Sequence, residues 1–109
     1  MAGFIKGDIV VIPFPFSDLS GSKRRPTLVL ADLPGNDIIL CQITSQQIKN
    51  PYSVAINSND FLTGSLPVSS NIRPTRIFTA DKNIIVRKAG TIKPVIIAQV
   101  SKVLLNLLT

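Results

Sequence analysis

Lys23, Arg24 and Arg25 stand in a row behind the turn-forming pair Gly21-Ser22, and Pro26 stops them before the apolar run TLVLA. A second polar step, Thr44-Ser45-Gln46, follows directly on another apolar run, IILCQI. A guanidinium offers forked N–H donors, and a threonine hydroxyl adds one more, a combination suited to a phosphate oxygen. If TLVLAD (27–32) and IILCQIT (38–44) are antiparallel neighbours, the start of one lies beside the end of the other. Arg25 and Thr44 then meet at one edge of a sheet, over a rigid base. Each residue has a plainer reading as well. Arg25 can pair with a surface aspartate, and Thr44 is a β-branched residue that suits a strand end. Arg73 and Arg76 in NIRPTRIFT point to opposite faces of a regular strand. Near the basic loop, Phe14 reads as core, whereas Phe16 is a candidate to stack on an unpaired base.

The composition narrows the chemistry. The 109 residues include no histidine, and all six acidic residues are aspartates. Ser-His-Asp and Cys-His catalysis and histidine-based metal sites are therefore excluded. The one cysteine, Cys41, rules out an internal disulfide and reads as a small buried thiol. The net charge is +6 and clustered, at 23–25, at Arg73 and Arg76, and at Arg87-Lys88. Clustered positive charge on an otherwise charge-poor chain favours a polyanionic partner, nucleic acid first and a membrane surface second.

A chain that is 45% hydrophobic and 17% charged suits a compact fold of one domain over residues 1–109. No apolar run is long enough to cross a membrane as a helix, and no charged-then-apolar leader opens the chain, so a cytoplasmic location is expected. Short β-branched runs separated by Gly, Pro, Asn and Asp predict a small barrel or sandwich. Strands are expected at 7–14, 27–32, 38–44, 52–57 and 71–80, the last bent near Pro74. The basic triplet falls on the loop before the second of these. SNDFLTG (58–64) reads as one helical turn capped by Ser58 or Asn59 and ended by Gly64. DKNIIVRKAG reads either as a short helix from Asp81 to Gly90 or as a strand through IIV. From Pro94 onward, Ile96, Ile97, Val100, Val103, Leu104, Leu107 and Leu108 trace an apolar stripe at helical spacing. It is expected to pack on the barrel and is wide enough to continue into a subunit interface.

The stretch GDIVVIPFPFSDLSGSKRRPTLVLA, then QITSQ, then SSNIRPTRIFTADKNIIVRKAGTI, resembles the MazF/PemK family of toxins from toxin–antitoxin modules. The resemblance spans nearly the whole chain. It implies a mostly β fold, a compact SH3-like barrel with a C-terminal α-helix, assembled as a homodimer. It also implies a sequence-specific, metal-independent endoribonuclease that uses no cofactor and cleaves single-stranded mRNA. The RNA 2′-hydroxyl would attack the adjacent phosphate, leaving a 2′,3′-cyclic phosphate and a 5′-hydroxyl end. The implied partner is an antitoxin whose disordered tail covers the RNA groove. The family's catalytic arginine stands before a proline and a strand, matched by Arg25; its threonine matches Thr44 in ITSQ, and a later arginine matches Arg73. Lys23, Arg24, Phe16, Ser45, Gln46 and Arg76 are the expected RNA contacts. The alternative from a different class is a non-catalytic toxin or nucleic-acid- or protein-binding barrel, such as a gyrase-directed poison on the same fold.

Overall fold

A computed structural model describes residues 3–14, 23–46 and 50–109, leaving out the side chains of Phe14 and Lys23. The described residues form seven strands and one α-helix. The strands are β1 (Asp8–Phe14), β2 (Lys23–Asp32), β3 (Asp37–Thr44), β4 (Val54–Ile56), β5 (Phe61–Gly64), β6 (Ser70–Asp81) and β7 (Arg87–Ile92); the helix is α1 (Pro94–Leu108). All pair antiparallel in one curled sheet, ordered β4-β6-β3-β2-β1-β7-β5. The mostly β architecture with a C-terminal helix is the one expected.

Strand alternation sorts the apolar residues onto two faces. On the first, Ile9, Leu28, Cys41, Ile43, Ile72 and Ile92 pack under the helix residues Ile96 and Val100. On the second, Val10, Ile12, Val29, Ile38 and Leu40 pack with Phe4, Phe78 and Ile85. Proline at N1 starts α1, as expected, with Lys93 at the N-cap. The apolar stripe is buried only in part: Ile96 and Val100 are covered, Ile97, Val103 and Leu104 are half-covered, and Leu107 and Leu108 are exposed, Leu108 by 83%.

The structure corrects three expectations. The basic triplet is not on a loop, because β2 begins at Lys23 and carries all three cations and Pro26 within the strand. Proline is tolerated there because the β3 ladder begins only at Thr27↔Gln42, so Pro26 faces a partner on one side alone. Pro13 of β1 is placed in the same way, beyond the last β7 pair at Val11↔Arg87. The turn at Ser58–Asp60 is 3₁₀ and is capped by Asn57, whose side chain accepts from the Asn59 amide. Gly64 ends a strand rather than a helix; its φ of +69° suits only glycine, and an added Cβ would strike the Ala89 carbonyl. Residues 81–90 follow neither expected form: a 3₁₀ turn over Lys82–Ile84, capped by Asp81, replaces the short helix, and the strand β7 begins only at Arg87, after Ile84-Ile85-Val86 rather than through them.

One ammonium ties the β2–β3 hairpin to the turn after β6. Lys82 Nζ donates to the Leu33 carbonyl at 2.6 Å and the Gly35 carbonyl at 2.8 Å, and pairs with Asp32 at 2.7 Å. All three N–H donors of the ammonium are thereby used. Lys82→Met should lower unfolding stability by about 1–3 kcal/mol, because two carbonyls and a carboxylate lose their partner together. Urea unfolding of the two proteins checks this, and equal midpoints would show that solvent satisfies the turn equally well.

Candidate active site

The register of the central strands decides which polar side chains meet. Ile12, on the second face, pairs with Arg25, and Thr27 pairs with Gln42. Continuing that β2–β3 register two residues sets Arg25 across from Thr44. Thr44 in turn pairs with Asn71 on β6. Arg73, two residues beyond Asn71, belongs to the same face by alternation. Arg25, Thr44 and Arg73 therefore share one end of the second sheet face, with Thr27, Gln42 and Asn71 among them, while the apolar cluster of that face fills the other end.

Buried contacts fix this end. Thr27, fully buried, donates its hydroxyl to the Val10 carbonyl at 3.2 Å. Thr44 is also buried, and its Oγ1 accepts from the Gln46 amide at 3.2 Å, which leaves its hydroxyl proton as a donor. Asn71 Nδ2 donates to the Gln46 carbonyl at 3.2 Å, holding the Ser45-Gln46 turn over the end of β3. Among the described residues the side-chain ion pairs are Lys82–Asp32 and Lys88–Asp8, so Arg25 and Arg73 pair with no described carboxylate. The Nε of Arg73 is buried and has no hydrogen-bond partner there.

β6 reaches this site through a wide bulge. Cys41 pairs with Ile77 but Ile43 pairs with Ile72, so β6 carries three more residues between its two pairs than a regular ladder holds. The stretch Arg73-Pro74-Thr75-Arg76 fills that excess, with Pro74 buried and Arg76 exposed. The Cys41 thiol, fully buried, donates to the Arg73 carbonyl at 2.9 Å and so holds the start of the bulge. Burial pushes this thiol up from 9.0 to about 12, the hydrogen bond with the Arg73 backbone offsetting part of the rise.

The expected contact residues do not all join this face. Arg24 and Ser45 point to the first face by alternation, where they line a cleft of about 340 Å³ with Arg87, and Arg25 reaches the same cleft from the sheet end. Arg76 stands at the far end of the bulge. Lys23 opens β2, but its side chain, like all of Phe16, lies outside the described residues. Asn71 and Gln42 escaped the sequence reading, and Arg87 was marked there only as part of the cationic pair Arg87-Lys88, not for its place beside β2. The first two were legible as period-2 partners in Asn71-x-Arg73 and Gln42-x-Thr44. Arg87 was not, because only the β1–β7 pairing brings it near β2. Among the described residues no three His, Cys, Asp or Glu side chains converge to hold a metal ion, and no helix is long and apolar enough to cross a membrane.

Comparison with known proteins agrees with this architecture. The family model of PemK-like, MazF-like toxins of type II toxin–antitoxin systems matches residues 5–108, and the chain belongs to that family. No curated protein matches the sequence. Among solved structures, an endoribonuclease in complex with its cognate antitoxin, from a mycobacterial species, superposes with a TM-score of 0.77 at 16% identity, over 96% of this chain and 94% of that one. The MazE–MazF complex of Deinococcus radiodurans gives 0.78 at 21% identity, over 98% and 97%. A mycobacterial endoribonuclease gives 0.73 at 20%, over 99% and 93%. At these identities the likeness is one of fold.

The Cys41 arrangement has two measurable consequences. Its thiol should resist alkylation in the folded protein at neutral pH and react only after unfolding. Because its native value lies above the unfolded one, the stability it contributes is complete below pH 9.0 and falls as pH rises toward about 12. Unfolding stability followed from about pH 8 to about pH 10 should therefore decline more steeply in the native protein than in Cys41→Ala. Parallel slopes would show that the thiolate is no costlier in the fold than out of it.

Proposed function

We propose that this toxin is an endoribonuclease that cleaves single-stranded mRNA without a metal, with Arg25, Thr44 and Arg73 acting on the scissile phosphate. What supports the reading is the strand register, which continued two residues sets Arg25 opposite Thr44 and by alternation leaves Arg73 on the same face. In the reaction the RNA 2′-oxygen forms a bond to phosphorus and the bond to the 5′-oxygen breaks. Negative charge accumulates on the non-bridging oxygens of the phosphorane. Arg25, without a described carboxylate to neutralise it, supplies forked donors to that charge, and Thr44 supplies its free hydroxyl proton. Arg73 adds positive charge from the neighbouring strand and positions the RNA. The 5′-oxygen leaves as a hydroxyl, and the other fragment keeps a 2′,3′-cyclic phosphate.

The reading extends to assembly and control. Residues 1–109 act as a single toxin domain in the cytoplasm, where mRNA is met. The exposed Val95, Leu105, Leu107 and Leu108 on α1 provide apolar surface for a homodimer. A cognate antitoxin with an acidic segment is the complementary partner for a chain of charge +6. Solved relatives of the same fold include mycobacterial endoribonucleases, one of them in complex with its cognate antitoxin.

The test is incubation of the protein with a long single-stranded RNA in EDTA, followed by mapping of the new ends. Discrete cuts with 5′-hydroxyl ends are expected. Arg25→Ala should reduce the rate on the order of a hundredfold or more, with unchanged circular dichroism. Undiminished cutting by Arg25→Ala would remove this arginine from the mechanism. Intact RNA from folded native protein would instead leave a toxin that acts by binding.

A further inference from the structure

The first sheet face carries a second feature at the same end of the strands. Val11 pairs with both Pro26 and Arg87, and continuing the β2–β3 register sets Pro26 beside Ile43. These residues make an aliphatic floor with Arg87 at one end. One step outward lie Arg24 and Ser45, and Leu66, Pro67 and Val68 form a lip over the row. The lip is held in place where Ser70 Oγ donates to the Val68 carbonyl at 3.1 Å. The resulting cleft encloses about 340 Å³, at the lower end of the range of roughly 300–1,000 Å³ typical of small-ligand pockets. Its lining includes three arginines, Arg24, Arg25 and Arg87, and no carboxylate.

We propose that this cleft is a nucleotide subsite, which holds one nucleotide flanking the scissile phosphate with its base on the aliphatic floor and its phosphate between Arg24 and Arg87. The assignment rests on the RNA-cleaving reading above. An aliphatic floor receives the flat face of a base, and guanidinium planes can cover the other side. The forked donors of Arg24 and Arg87 along its rim match a phosphate, and no carboxylate lines the cleft to oppose it. Arg25 borders this cleft and also faces Thr44 across the sheet end, so a strand engaged at the phosphate site lies next to the cleft. Arg87 is thus assigned as a substrate-binding residue that follows from no spacing in the sequence.

The test titrates each of the four nucleoside 5′-monophosphates into isotope-labelled protein and follows backbone amides by NMR. At least one monophosphate should move the Val68, Ser70 and Arg87 signals, with a Kd weakened roughly tenfold by Arg87→Ala. Arg87 is exposed, so the spectrum of the variant reports directly that its fold is kept. Two results would overturn the subsite: no monophosphate moving these signals, or inorganic phosphate alone moving them equally. In cleavage assays Arg87→Ala should raise KM more than it lowers kcat and relax base preference at one position beside the cut; unchanged KM and preference would also overturn it. If native protein cuts no RNA while a monophosphate still moves these amides, the subsite stands and the ribonuclease reading falls.

Discussion

The site depends on where β2 is locked between β1 and β3. Side chains alternate along a strand, so a slip of one residue exchanges the two faces completely. Arg25 would then leave Thr44 and turn toward the helix side, and Arg24 would take its place. What prevents the slip is apolar burial on both sides of the sheet at once. Leu28 must lie under α1 while Val29 lies in the second cluster, and neither is exposed. The buried bond from Thr27 to the Val10 carbonyl pins the same row from within. Two adjacent arginines are thus set on opposite faces of the sheet by the same packing that makes the core.

A second constraint acts from β6. Its ladder with β3 must absorb three extra residues, and it does so at the point where Cys41 gives way to Ile43. A regular continuation from Ile77 would set Thr75 beside Ile43, with its hydroxyl directed to the apolar face. The bulge instead returns Ile72 to that position, and Asn71 and Arg73 reach the polar face with Thr44. Pro74 suits this interruption, since it has no amide to give to a ladder. The neutral thiol of Cys41 holds the Arg73 carbonyl that the bulge would otherwise leave unpaired in the core. A cysteine without redox or nucleophilic work thus shapes the approach of a cation to the site.

How much of this was legible in the sequence follows from which forces are local. β1, β3 and α1 were readable because apolar runs with turn or proline boundaries are local signals. The meeting of Arg25 and Thr44 was readable because it needed only one hairpin between two such runs. Residues 23–25 read as a loop because proline ordinarily bounds a strand, whereas one-sided pairing lets β2 run through it. Cap identity at Asn57 and the division of 81–90 depend on one or two backbone hydrogen bonds, below what periodicity resolves. Arg87 was out of reach, because β1–β7 pairing joins residues about 76 positions apart and leaves no trace in either segment.

The absence of histidine and glutamate gives this organisation its chemical sense. Without side chains that exchange protons readily near neutral pH, the mechanism proposed above relies on fixed charge and hydroxyl donors set against charge that develops on the substrate. That strategy demands positional accuracy more than tuned acidity, since a misplaced guanidinium is worth little even when fully charged. A sheet end serves it well: three adjacent strands each contribute one polar side chain, and the core fixes all three by register. The same strands present a second, aliphatic and cationic surface on their other side at no further cost in chain length. Within β2, Arg24 and Arg25 thus supply charge to opposite faces of the sheet, and the two proposed surfaces draw on neighbouring residues of one strand.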